Sequence, residues 1–243
     1  MKASSPIRIV PLRTEALAPV ATARLTYRGG PLIAAVEVFV IFWGDAWNAE
    51  PQAKLMPQLD DFFDYVVTSP LIDQLSEYDV REYRIGPGKR GGTILLTTAP
   101  PATVTDAAVR ALLREQIASN PAVMQPSPNT LYFVFLPPGV TSDLNGATSC
   151  TSFCGYHDND GGTYYAVMPF PDCDGCLATQ SQLDALTTTS SHELCEALTD
   201  PIPGQGWYDD SNGEIGDICA WQTKRSGAYT VQLEWSNRQG KCV

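Results

Sequence analysis

Two nearly uninterrupted apolar runs, Val36 to Trp43 (VEVFVIFW) and Thr130 to Leu136 (TLYFVFL), limit this chain to folds with strands at their centre. Both are built from β-branched and aromatic residues. The first is closed by Gly44 and the second by Pro137 and Pro138, and runs of that length and make-up read as buried strands. Helical spacing surrounds them. Gln52 to Val67 sets Leu55, Leu59, Phe62, Phe63 and Val66 at steps of three and four, and Pro70 to Tyr78 starts a second helix. Thr105 opens a third, with an acid in its first turn and Val109, Leu112, Leu113 and Ile117 on its inner face. Further strand signals lie at Glu82 to Ile85, Gly92 to Thr98 and Tyr164 to Pro169, the first two separated by the turn-forming GPGKRG. Strands alternating with helices predict an α/β fold: a mixed sheet with flanking helices and a loop-rich C-terminal part.

Residues 1–30 show no sustained period and are rich in Pro, Ala and Thr, so they read as an extended or poorly ordered lead-in. Residues 31–243 are then expected to form one domain, and a 44% hydrophobic composition is ample for its core. A net charge of −11 with only 16 Lys and Arg argues against nucleic acid as a partner, because phosphate binding needs clustered cations. No apolar run is long enough to span a membrane, and the first residues lack the apolar segment of a secretory signal.

All seven cysteines, Cys150, Cys154, Cys173, Cys176, Cys195, Cys219 and Cys242, lie in the C-terminal part. That clustering predicts disulfides, an oxidising compartment and hence an extracellular location, with one thiol left over. Cys195 is the expected free thiol, and Cys219 with Cys242 is a plausible long pair. A competing reading makes Cys150, Cys154, Cys173 and Cys176 a four-thiolate zinc site, C-x3-C followed by C-x2-C.

The chemistry concentrates in Thr187 to Pro201, TTTSSHELCEALTDP. On a helix, His192 and Glu196 stand one turn apart on one face, with Glu193 beside them. Asp200 extends that edge and Pro201 ends it. Leu183, Leu186, Ser190, Leu194, Ala197 and Leu198 form the opposite flank, which predicts a helix pressed on a core with its polar edge at a cleft. H-E-x-x-E differs from the H-E-x-x-H zinc helix only in its second ligand. Imidazole and carboxylate suit Zn, with Ca as the alternative once carboxylates dominate. Glu193 is the expected catalytic base. A third ligand must come from elsewhere, and the polar loop Gly204 to Cys219 supplies Asp217 foremost, or Glu214. Asp200 and His157, the only other histidine, are rivals. Trp207 and Tyr208 would wall a substrate pocket, or simply pack beneath the loop. The plainest alternative to all of this is a solvated acidic helix flank.

Together YRGGPLIAAVEVFVIFWG, VVTSPLIDQLSEYDV, NTLYFVFLPPGV, FCGYH, SHELCEALTDP and GEIGDIC resemble the phosphate-induced, exordium-related proteins and their bacterial counterparts, over about residues 27 to 220. Plant members of that family are secreted and tied to growth and the cell wall. The helix alone resembles those of zincin-like peptidases, and what that implies is confined to His192, Glu193 and Glu196. Two functions are therefore expected. One is a metal-dependent hydrolase, a metalloprotease-like enzyme acting on peptide or protein substrates that pair with strand Tyr164 to Pro169. The other is a non-catalytic extracellular binding or signalling protein of the exordium type, stapled by a structural metal.

Overall fold

In the computed structural model, residues 9–13 and 22–243 are described. A six-stranded mixed sheet forms the centre, from β1 (Ile9–Pro11), β2 (Ala35–Trp43), β3 (Gly86–Leu96), β4 (Thr130–Phe135), β5 (Phe153–Asp160) and β6 (Thr163–Met168). Their spatial order is β1-β5-β6-β4-β2-β3. The four strands from β6 to β3 run parallel, while β5 is antiparallel to both its neighbours. The two apolar runs of the sequence are thus the adjacent inner strands β2 and β4.

Both faces of the sheet are covered, because alternate residues of each strand point to opposite sides. Val38, Val40 and Phe42 join one core with Phe133, Phe135, Ala166 and Met168, capped by helix α1 (Gln52–Val66) through Leu59, Phe62 and Phe63. Phe39, Ile41 and Trp43 join the other with Tyr132, Val134 and Val167, under Val109 and Leu113 of helix α2 (Asp106–Ser119). Thr105 caps α2 by accepting from Ala108 N–H. The third helix, α3 (Gln182–Thr199), lies on the α1 side of the sheet.

Several expectations change in the structure. GPGKRG is not a turn between two strands but part of β3, whose edge position tolerates Pro87 and whose register with β2 shifts twice. Glu82 to Ile85 carry no strand. FCGYHDND, which carries no strand signal in its sequence, is the strand β5, buried over its first six residues. Strand β6 pairs with β5 on one side and β4 on the other, so it offers no edge to an extended peptide. Parts of the lead-in expected over residues 1–30 lie outside the described residues. Of the described parts, β1 pairs with β5, and Thr26–Tyr27 pairs with Trp207–Tyr208.

Three disulfides, Cys150–Cys173, Cys154–Cys176 and Cys219–Cys242, stand in the C-terminal part, and Cys195 is free and buried. They use up the thiols of the four-cysteine zinc reading and fit an oxidising environment. No helix among the described residues is long and apolar enough to cross a membrane.

Candidate metal centre

Helix α3 starts at Ser181, whose hydroxyl accepts from Asp184 N–H, and stops where Asp200 leaves helical geometry before Pro201. From Ala185 to Thr199 every residue is buried. The expected open polar edge is therefore absent, because three different elements cover the helix. The hairpin of Thr223–Ser226 and Tyr229–Gln232 lies along one row of side chains: Thr187 Oγ donates to Thr230 carbonyl at 2.8 Å, and Ser191 Oγ accepts from Gln232 N–H at 2.9 Å. Strand β5 covers a second row. It comes so close that a Cβ at Gly155 would stand 2.6 Å from Thr189 Cγ2 and 3.3 Å from Glu193 Oε1. The Gly213–Cys219 loop covers the third, where a Cβ at Gly216 would stand 2.8 Å from His192 Nδ1.

These three covers bring together side chains that lie far apart in sequence. His192 Nε2 lies 2.9 Å from Glu196 Oε1 and 3.9 Å from Asp217 Oδ1. His157, from β5, places Nδ1 3.0 Å from Glu193 Oε2 and 3.5 Å from Glu196 Oε2, and Nε2 3.5 Å from Glu214 Oε1. His157, His192, Glu193, Glu196 and Glu214 are 0% exposed, and the Asp217 side chain is 6% exposed. Two triads, His192–Glu196–Asp217 and His157–Glu196–Glu214, each offer one ligand atom per residue, all within 4.8 Å of one another. Such separations suit a shared cation held by nitrogen and oxygen.

Hydrogen bonding leaves this set incomplete. Neither oxygen of Glu214 receives a hydrogen bond from a nitrogen or hydroxyl donor, and the same holds for Glu193 Oε1, Glu196 Oε2 and Asp217 Oδ1. Buried polar atoms are nearly always satisfied, so a cluster of orphaned carboxylate oxygens calls for protons or a cation. No lysine or arginine among the described residues forms an ion pair with these acids.

The electrostatics follow from that crowding. Burial, joined by the charges of Glu196 and Asp200, holds Glu214 well above the usual carboxylate range; burial and Glu196 do the same to Asp217. Burial also raises Glu193. Glu196 goes the other way: burial opposes its charge, but His192 and His157 outweigh it and bring it to about 2. For His157 burial is likewise outweighed, here by the hydrogen bond to Glu193, the close approach of Glu196 and the charge of both, and its pKa rises to about 10.

The remaining expected residues sit otherwise. Asp200 is close, and its carbonyl is 3.2 Å from His157 Nε2; its carboxyl accepts from the backbone N–H groups of Gly204, Gln205 and Gly206 and also meets the Glu214 carboxyl. Trp207 packs against Tyr27 and Tyr78 and donates from Nε1 to the Tyr78 carbonyl, while the Arg28 guanidinium stands over the Tyr208 ring. These contacts are those of packing beneath a loop.

Gln232 and Glu234 were not legible as part of the centre. Alternation in TVQLEW marks both as outward-facing residues of a strand, yet α3 covers that face. Gln232 Oε1 accepts from Trp221 N–H, and Nε2 donates to Gly216 carbonyl while facing His192 Nδ1 at 2.8 Å. A donor at Nδ1 puts the proton of a neutral His192 on Nε2, toward Glu196. An ion at Nε2 would displace that proton, and the amide would then have to turn its oxygen toward Nδ1–H. Glu234 is a further buried acid whose oxygens accept from no nitrogen or hydroxyl donor and face the Cys195 thiol, held well above its usual range by burial.

Compared with protein-family models and with curated proteins, the chain matches none.

Proposed function

We propose that this protein binds a divalent metal ion through His192, Glu196 and Asp217, with zinc as the first candidate and calcium as the alternative. The observation that carries the reading is the buried, incompletely hydrogen-bonded set of nitrogen and carboxylate atoms that α3 and the 213–219 loop bring together. Ligands from a helix and from a loop tied down by Cys219–Cys242 make such an ion a staple of the C-terminal half. The closed shell around it favours this structural use, in a protein secreted into an oxidising, extracellular setting. The resemblance to exordium-related proteins points the same way.

A metal-dependent hydrolase, acting on peptides or proteins, is the second reading, and Glu193 is the observation that favours it. Its Oε2 is held by His157, whereas Oε1 is free to take a proton from a water molecule, and burial moves its pKa up toward the range useful to a general base. A divalent ion in the centre would supply Lewis-acid polarisation of that water and of a substrate carbonyl. Asp217, the least buried of the set, marks the side from which water or substrate would arrive. His157 would hold Glu193 in place.

Elemental analysis of protein purified without chelator tests the metal, and Glu193→Gln separates the two uses. Bound metal with no hydrolysis of peptide or ester panels supports the staple. A chelator-sensitive activity that falls by about 100-fold or more in Glu193→Gln supports the hydrolase. Absence of metal even after incubation with zinc or calcium ends both.

A further inference from the structure

The two oxygens of Glu196 face different histidines: Oε1 is 2.9 Å from His192 Nε2, and Oε2 is 3.5 Å from His157 Nδ1. We propose that the centre holds two divalent ions rather than one, with Glu196 as a bridging carboxylate, one ion on His192 and Asp217 and the second on His157 and Glu214. This rests on the metal-binding reading above and extends it.

The second position stands on observations of its own. Glu214 is fully buried, and neither of its oxygens receives a hydrogen bond from a nitrogen or hydroxyl donor, although Oε1 is 3.5 Å from His157 Nε2. A single ion on the His192 side would leave that carboxylate with only the Asp200 carboxyl as a hydrogen-bonding neighbour, an acid pair that must hold a proton to persist in the core. Glu196 Oε2 is likewise without a donor, whereas Oε1 already accepts from Asp217 N–H at 3.0 Å. Each triad contributes one imidazole and one carboxylate besides the shared one. Glu196 and Asp217 both approach His192 Nε2, whereas Glu196 approaches His157 Nδ1 and Glu214 approaches Nε2, so loading the second position requires one of these two side chains to turn onto the coordinating nitrogen.

Charge points the same way. With both imidazoles neutral and the buried acids Asp200 and Glu234, whose pKa values burial raises, in their protonated forms, two divalent ions balance Glu193, Glu196, Glu214 and Asp217, for which the described residues provide no lysine or arginine ion pair. Carboxylate-bridged pairs of ions typically stand about 3.5–4 Å apart, a spacing that the two oxygens of one carboxylate can span. Mixed imidazole and carboxylate donors suit zinc, manganese or ferrous iron better than a site built from oxygen alone. The alternative is a protonated His157 that pairs with Glu193 and Glu214 and leaves no room for the second ion.

Metal-stripped full-length protein titrated with Zn²⁺, and separately with Mn²⁺, distinguishes these outcomes by calorimetry and elemental analysis. Two equivalents per chain are expected, together with a spin-coupled manganese pair in electron paramagnetic resonance spectra. Glu214→Gln should keep one equivalent, Asp217→Asn should keep the other, and Glu196→Gln should weaken both by at least tenfold. One equivalent in the parent protein, unchanged in Glu214→Gln and lost in Asp217→Asn, overturns the second ion while leaving the first. No bound ion at all overturns the metal reading itself. If Glu214→Gln does not fold, the parent protein decides: an uncoupled, single-ion manganese spectrum at saturation overturns the pair.

Discussion

His192 Nε2 and Glu196 Oε1, one helical turn apart on α3, are 2.9 Å from each other and shielded from solvent. Such a pair is held by a proton or by an ion, and the choice is measurable as stability. With free metal at about 100 to 1,000 times its dissociation constant, linkage adds roughly 2.7–4.1 kcal/mol. In a domain of this size that corresponds to about 5–16 °C in Tm. Removing metal with a chelator should lower Tm by that amount, and re-adding zinc should restore it. A Tm that is insensitive to both would count against any ion in the centre.

Gly216 has no side chain because none fits: a Cβ would stand 2.8 Å from His192 Nδ1 and 3.0 Å from Glu196 Oε1. Gly216→Ala is expected to cost about 1–3 kcal/mol, as overpacking does, and to lower metal content. Gly86→Ala, where a Cβ meets nothing within 4 Å, is the control. Urea midpoints for the two variants check it; equal, small losses would show that the loop simply shifts.

The pH dependence has a definite sign. Glu214 and Asp217 have folded pKa values raised well above 4.5 and 3.8, and His157 rises from 6.5 to about 10. A raised folded pKa gives stability that is present below the unfolded value and lost as pH climbs through the folded one. Glu196, depressed to about 2, has the opposite sign, but its contribution is already complete above 4.5. The ion-free protein should therefore lose stability as pH rises from about 4, where the unfolded carboxylates ionise, to about 10, while metal, competing with those protons, stabilises most at the upper end. Thermal melts in chelator across that range test this, and a flat or rising profile contradicts it.

Cys219–Cys242 closes a sequence separation of 23 and anchors the loop that bears Glu214 and Asp217. Replacing both cysteines by serine should cost about 3 kcal/mol through the unfolded state and weaken metal binding as well. The same change at Cys150 and Cys173, also 23 apart, should cost similar stability with metal stoichiometry preserved. Denaturation curves and metal titrations of both double variants provide the comparison.

Thiol counting is the simplest check on the covalent frame. Unreduced, denatured protein should show one reactive thiol, Cys195, and fully reduced protein should show seven.

Local pattern carried much of this fold. VEVFVIFW and TLYFVFL became the adjacent inner strands because apolar, β-branched runs have little alternative to a covered sheet. The i, i+4 spacing set His192 beside Glu196, and the spare thiol was correctly placed at Cys195. Where glycine and polar residues fill a strand, as in FCGYHDND and GPGKRG, local preference favours turns and sheet pairing overrides it.

The amino-acid order by itself determined the α/β class, the helix with its histidine and acids, and the clustering of cysteines, since each depends on neighbours within a few residues. Only the tertiary structure decided that His157 meets Glu193 across 36 positions, that Gln232 meets His192 across 40, and that the polar edge of α3 is sealed instead of open. Those contacts arise from how β5, the loop and the hairpin stack on one helix, and no local period encodes which distant segment will cover a buried charge.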